Sequence, residues 1–151
     1  MKKFLITCFV AVNILALGAC SDDDDPQPQF EDTKNAKYTI TVEGVGEDET
    51  ATFNFIGVTV SQEKNLWKVN GQLRPNETTI SLTADDFPSK KTYVVESNVP
   101  HYTTGVVISC QNFDGTPIKF TYKAEINGKV LKDDTQTVAG NGTQYHIDYQ
   151  Y

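Results

Sequence analysis

The chain has 151 residues, which is the length of one domain. Hydrophobic residues make up 38% and charged residues 22%, a composition typical of a folded globular protein and too apolar for a disordered chain. Lys and Arg number 13 against 20 Asp and Glu, so the net charge is −7 at neutral pH. Because nucleic-acid-binding proteins carry basic surfaces, this negative balance excludes nucleic acid as a partner.

The first 19 residues have the pattern of a secretory signal. Lys2 and Lys3 give a short basic start, and residues 4–17 form an almost unbroken apolar run. That run is shorter than the roughly 20 apolar residues that a permanent transmembrane helix needs. The pattern therefore predicts a signal peptide over residues 1–19.

Leu17-Gly18-Ala19-Cys20 follows the apolar run and resembles the lipobox of bacterial lipoproteins. The resemblance implies cleavage before Cys20, transfer of a diacylglyceryl group to its thiol, and acylation of the new amine. Two or more acyl chains hold a protein firmly on a membrane without a transmembrane segment. We therefore predict lipidation at Cys20 and a membrane as partner through that lipid.

An acidic stretch comes directly after the cysteine: Ser21, Asp22, Asp23, Asp24 and Asp25. The run is similar to the start of Bacteroidetes-type surface lipoproteins, in which such a stretch is associated with export to the outer face of the outer membrane. The resemblance implies an outer-membrane, surface-facing protein, with a periplasm-facing anchor as the alternative. Pro26 and Pro28 follow, so residues 20–32 are predicted to be an extended acidic tether.

From residue 33 onward, apolar and polar residues alternate with a period of two, which predicts β-strands. The clearest case runs from Ile118 to Ile126. The last strand is predicted to be paired, with four residues on one buried face: Tyr145, Ile147, Tyr149 and Tyr151. Turn dipeptides separate several of the strands: Asn70-Gly71, Asp114-Gly115 and Asn127-Gly128. Residues 84–87 allow one helical turn before Pro88.

Seven to nine short strands in residues 33–151 favour a single all-β domain, an antiparallel β-sandwich of immunoglobulin-like type. The alternative is a closed, lipocalin-like β-barrel. Large side chains such as Phe53, Phe55 and Phe120 lie at inward positions and would fill a core, which favours the sandwich. Near Gly57 the apolar parity changes, which indicates a β-bulge or a strand that moves between sheets.

No residue pattern indicates catalysis, because the sequence has neither a Gly-x-Ser-x-Gly elbow nor a phosphate loop. Cys110 shares a face with Val106 and Ile108 and is predicted to be a buried, inert thiol. His101 and His146 are both predicted to be surface residues. The sequence therefore predicts a protein that is not an enzyme, with no catalytic residues and no cofactor.

Acidic groups in predicted loops are the remaining candidates for a metal site: Asp85-Asp86, Asp133-Asp134 and Glu47-Asp48-Glu49. Calcium prefers oxygen ligands, but none of these groups has the spacing of a dedicated calcium loop. They are predicted to be solvated loop charges, and no metal site is assigned. A calcium requirement is left open.

Two classes of function remain. The first is a surface binding module whose loops recognise a glycan or a protein, with Trp67, Tyr93 and Tyr102 as aromatic candidates for stacking on a sugar. The second is a structural or assembly component that joins a partner through the edge of the last strand. A lipocalin-like carrier of an apolar ligand is a third hypothesis, which depends on the barrel.

Overall fold

The computed structural model describes residues 29–151. The signal peptide, the lipidation of Cys20 and the export stretch from Ser21 to Asp25 lie outside the described residues and stay predictions. The strands are β1 (Ala36–Glu43), β2 (Thr50–Val58), β3 (Trp67–Val69), β4 (Gln72–Arg74), β5 (Thr79–Leu82), β6 (Lys91–Ser97), β7 (Thr103–Gln111), β8 (Ile118–Ile126), β9 (Lys129–Val138) and β10 (Gln144–Gln150). Within this part of the chain, no helix is long and apolar enough to cross a membrane.

Two antiparallel sheets pack face to face. One sheet has the order β4-β3-β6-β1-β8-β9, and the other has the order β10-β7-β2-β5. The sheets do not close on each other, so the predicted β-sandwich is confirmed and the lipocalin-like barrel is wrong.

The core lies between the sheets and follows from the alternation in the sequence. Tyr38 and Ile40 of β1 are completely buried, and Phe53 and Phe55 of β2 face them from the other sheet. The ring centroids of Tyr38 and Phe55 are 5.3 Å apart, which is a favourable distance for an aromatic pair. Large aromatic side chains thus fill the space between the sheets.

β2 continues through Gly57 without a bulge. Its burial alternates without interruption, with Gly57 on the inward face and Ile56 and Val58 on the outward face. The predicted parity change is therefore wrong, because Ile56 and Val58 are exposed apolar residues rather than core residues. The pairing is irregular instead in β8, between Ala124 and Glu125.

Turn chemistry is as the sequence predicted. Asn70 and Asn127 have φ values of 50° and 51°, and the glycine after each also has a positive φ. Positive φ at both central residues is typical of the type I′ turns that join tight hairpins. The helical turn predicted before Pro88 is a 3₁₀ turn over Ala84–Asp86.

The last strand is paired as predicted, and it forms an edge of the four-stranded sheet. β10 pairs with β7 alone, and its apolar residues are half-buried. Tyr149 stacks on Tyr122 at 5.5 Å with nearly parallel rings, and Tyr145 contacts Phe120 edge-on at 5.3 Å. These contacts join β10 to the facing sheet, although it has only one neighbouring strand.

Strand directions give the sandwich two ends. The tether end holds residues 29–34, the β2–β3 and β6–β7 loops and Tyr151. The distal end holds the β1–β2 loop (44–49), the β7–β8 loop (112–117) and the β9–β10 loop (139–143).

Candidate functional site

The aromatic candidates for sugar stacking differ in exposure. Trp67 is fully buried and contacts the His101 ring at 4.6 Å, and Tyr93 is 8% exposed and packs on Phe87 at 5.6 Å. Both are core residues that present no ring face for a sugar, which corrects the prediction for these two positions. Tyr102 is 37% exposed at the tether end, and its role stays a prediction.

Asn112 connects the distal loops. It is completely buried, and its Nδ2 donates to the main-chain oxygens of Thr116 and Val138. Its Oδ1 accepts a hydrogen bond of 2.7 Å from the Gly115 N–H, and its own N–H donates to the Thr143 oxygen. One buried amide thus fixes the β7–β8 loop against the end of β9 and the β9–β10 loop.

A second pair of loops, β1–β2 and β7–β8, meets at Gly44. The Asp114 carboxylate accepts a 2.6 Å hydrogen bond from the Thr116 N–H, which lowers the pKa of Asp114. Gly44 has a φ of +80°, and a Cβ at this position would collide with the carbonyl oxygen of Pro117. A glycine is therefore needed where the β1–β2 loop passes the β7–β8 loop.

Glu49 is a buried carboxylate at the end of the β1–β2 loop. It is 3% exposed, and its Oε2 accepts a 2.8 Å hydrogen bond from the Gly46 N–H, while its Oε1 has no hydrogen-bond partner. Burial raises the pKa of Glu49, and the charge of Asp114 raises it further. The sequence predicted that residues 47–49 are solvated loop charges. This prediction is wrong for Glu49, whereas Glu47 and Asp48 are exposed.

Glu49 and Asp114 both approach Gly46. A Cβ on Gly46 would lie 3.4 Å from Oδ2 of Asp114 and 3.7 Å from Oε2 of Glu49. We call Glu49 and Asp114 the acidic pair. Two neighbouring carboxylates of which one is buried favour a shared proton or a bound cation, because both cannot easily be charged alone.

Protein ligands for a cation at the acidic pair would be limited. Within residues 29–151 there is no group of three or more His, Cys, Asp or Glu residues placed to hold a metal ion. A cation here would therefore need backbone carbonyls and water beside the two carboxylates, which calcium accepts readily. The pair could not be recognised from spacing in the sequence, because Glu49 and Asp114 lie in different loops. The Asn112-x-Asp114-Gly115 turn was the one local signal of a polar site in this region.

An open depression of about 380 Å³ lies next to the acidic pair. Gly46 and Glu47 border it on one side, and Ala84, Asp85 and Pro88 border it on the other. It belongs to the distal surface and is formed by loops, which are the usual carriers of binding sites on rigid sandwiches.

Cys110 and the two histidines differ in burial. Cys110 is buried as predicted, and burial raises its pKa to about 12, which keeps the thiol protonated and inert. His146 is exposed as predicted. His101 is completely buried, so its predicted surface position is wrong; neither ring nitrogen has a hydrogen-bond partner, and burial lowers the pKa of His101.

Fold and site together define a small antiparallel β-sandwich with a buried acidic pair in its distal loops. No protein-family model matches the chain, and no curated protein matches it. Solved structures with a similar fold include a DUF4425 family protein from Bacteroides ovatus, with 11% identity and a TM-score of 0.58 over 79% of this chain and 94% of that one. A domain of unknown function, DUF4425, from Bacteroides vulgatus has 12% identity and a TM-score of 0.59, over 80% and 94%.

A further structure with this fold comes from Parabacteroides distasonis and is described as a calcium-bound form. It has 13% identity and a TM-score of 0.56, over 83% of this chain and 98% of that one. At these identities the likeness shows the fold alone.

Proposed function

We propose that the chain is a lipid-anchored module on the surface of a Gram-negative bacterium, which binds its ligand with the distal loops and catalyses no reaction. The observation that carries this proposal is the position of the chain entry. Residues 29–34 join the domain at the tether end, and the Asn112-braced loops lie at the opposite end. A domain held through Cys20 therefore presents those loops away from the membrane.

The chemistry of the distal end supports a polar ligand, a glycan or a surface protein. The depression beside the acidic pair is bordered by Glu47 and Asp85, and the loops around it offer backbone groups as well as carboxylates. A calcium ion bridging a carboxylate and the hydroxyls of a sugar would combine these features.

Calcium is the cation that the acidic pair fits best. The buried Oε1 of Glu49 has no partner, and the carboxylates of Glu49 and Asp114 approach the same side of Gly46. The calcium-bound form of the Parabacteroides protein supports the same choice. A bound ion would neutralise both carboxylates and join the β1–β2 loop to the β7–β8 loop.

A second candidate function is assembly through β10. This strand is an edge of the four-stranded sheet in the described chain, so its outer backbone groups are free to pair with a partner strand. The deletion described in the Discussion distinguishes this role from a purely structural one.

The anchor is tested by labelling growing cells with a clickable fatty acid. We expect label on the wild-type chain and on Cys8→Ala, which is the matched control within the signal, and none on Cys20→Ala. Replacing Asp22 to Asp25 with Asn should retain the label but reduce removal of the domain by protease added to intact cells. Label on Cys20→Ala contradicts the lipobox, and unchanged protease accessibility contradicts the export role of the acids.

A further inference from the structure

Exposed apolar side chains are concentrated at and near the tether end. Of the large hydrophobic residues that are exposed in residues 29–151, only Phe113 lies in a distal loop. Five of the others form the surface that we call the tether patch: Phe30, Ile56, Val58, Val60 and Tyr102. Contiguous exposed apolar surface on a soluble domain marks an interaction site.

The tether patch is held together by the chain entry itself. The Phe30 ring lies edge-on to Tyr102 at 5.1 Å, and the Tyr102 N–H donates a 2.8 Å hydrogen bond to the Val58 oxygen. The Asp32 carboxylate accepts a hydrogen bond of 2.7 Å from the Val60 N–H. The segment that leads to the anchor is therefore itself part of the patch.

An apolar-lined depression of about 310 Å³ continues the patch onto the outer face of the four-stranded sheet. Ile56, Val58 and Val107 are among its lining residues. Gly105 also lines it, and a Cβ at this position would lie 2.5 Å from the Tyr149 oxygen, so a glycine is needed where β7 meets β10. The patch is thus a surface that includes a depression, rather than a row of isolated side chains.

Two carboxylates and a lysine lie next to the patch. Backbone N–H groups bind the carboxylates, at Val60 for Asp32 and at Asn65 for Glu63, and they lower the pKa of both acids. Both acids therefore stay charged at neutral pH, which limits any contact to the polar interface of a bilayer. Lys34 lies over the Tyr102 ring at 5.7 Å. A lysine beside aromatic and aliphatic residues is typical of surfaces that contact a bilayer interface.

We propose that the tether patch rests on the lipid surface to which Cys20 is anchored, so that the domain stands with its distal loops outward. This proposal rests on the proposed anchor. Gln29 is nine positions after Cys20, and an extended chain of that length spans at most about 30 Å. The patch therefore stays within reach of the bilayer at a high effective concentration, which allows a weak contact to persist.

The test uses two matched substitutions, Phe30→Trp in the patch and Phe113→Trp in the distal β7–β8 loop. Both phenylalanines are exposed, by 58% and 41%, and the native Trp67 is buried and gives a common background. The chain from Cys20 onward is coupled through that thiol to a maleimide lipid in brominated phosphatidylcholine vesicles; the buried Cys110 does not compete. Chemical coupling makes the result independent of whether cells acylate Cys20.

We expect the brominated lipid to quench most of the added tryptophan emission in Phe30→Trp and none in Phe113→Trp. Adding Val58→Asp and Val60→Asp should abolish that quenching, whereas Leu73→Asp, a similarly exposed site outside the patch, should not. Thermal melts verify that each variant is folded. Equal quenching at both tryptophans, no quenching at either, persistence after the aspartate substitutions, or quenching that depends on protein density would each overturn the proposal.

Discussion

The two ends of the sandwich bury ionisable groups in different ways. At the tether end, His101 lies beneath the chain entry, where its backbone forms a bridge with Lys34 and its ring packs against Trp67. At the distal end, Glu49 is buried beside Asp114 in loops that Asn112 fixes in place. An apolar enclosure favours a neutral imidazole, whereas two carboxylates favour a cation or a proton.

This difference in buried groups indicates that the two ends of the sandwich have different roles. The tether end is closed by the chain itself: the Thr33 and Lys34 N–H groups donate to the His101 oxygen. Each end holds buried side-chain atoms without a hydrogen-bond partner: both ring nitrogens of His101 at the tether end, and Oε1 of Glu49 at the distal end. A neutral imidazole carries no charge that needs a partner, whereas the buried carboxylate beside Asp114 retains capacity for an external cation or a proton.

The largest expected effect comes from deleting β10, which runs between the two ends. Removing residues 143–151 takes away the Tyr149–Tyr122 stack and the contact of Tyr145 with Phe120. Truncating one buried aromatic residue costs roughly 3–5 kcal/mol when it is fully enclosed, against about 5–15 kcal/mol for a whole domain. The deletion should therefore unfold the domain, as measured by circular dichroism and thermal melts. An unchanged melting temperature would instead favour β10 as an assembly edge.

Gly57→Ala should destabilise the tether end. The added Cβ would come within 2.7 Å of the His101 ring and 3.0 Å of Trp67, and overpacking of this kind costs about 1–3 kcal/mol. Gly46→Ala is the distal control, because its Cβ would meet no atom closer than 3.4 Å. Urea denaturation should show a lower midpoint for Gly57→Ala only. Similar midpoints for both variants would contradict the tight packing assigned to the tether end.

Calcium should stabilise the distal end through Glu49. A ligand present at ten times its Kd stabilises the folded state by about 1.4 kcal/mol, which a thermal melt resolves. We expect calcium to raise the Tm of the wild type and of Glu47→Gln, whose side chain is exposed, and to leave Glu49→Gln unchanged. An equal rise in all three proteins would place the ion elsewhere, and no rise in the wild type would exclude the site.

The fold was predictable because alternation and turn residues are local. The spacing of Phe53, Phe55 and Phe120 was enough to assign them to the core, where all three are buried. The φ preference of Asn127-Gly128 was likewise enough to assign its turn. The acidic pair was not predictable, since the burial of Glu49 depends on loops that meet only after the sheets have formed. His101 was missed for the same reason.

Ile56 and Val58 illustrate a different failure. Sequence reasoning treats apolar residues as core residues, and it therefore required a change of parity at Gly57. The strand keeps its parity and leaves both side chains exposed on the outward face. An apolar side chain is stabilised when it is removed from water, but its hydrophobicity does not specify whether the protein's own core or another surface covers it.

The smallest expected effect is the pH response that separates the two ends. Burial lowers the pKa of His101 from its ordinary value of 6.5, so the unfolded chain binds this proton more readily and stability falls as the pH drops below that value. The pKa of Glu49 is raised, mainly by burial, so the folded chain binds that proton more readily and stability increases as the pH drops through the raised pKa. In mildly acidic solution, His101 therefore lowers the free energy of unfolding as the pH drops, whereas Glu49 raises it.

Single substitutions should reveal these opposing contributions. In calcium-free buffer, His101→Phe should remove the loss of stability between pH 7 and 5, and Glu49→Gln should make that loss steeper than in the wild type. His146→Gln, at the exposed histidine, should reproduce the wild-type profile. Urea denaturation at each pH gives the free energy of unfolding. If His101→Phe kept the wild-type slope, His101 would not be the buried neutral group at the tether end, and the chemical contrast between the ends would fail at that position.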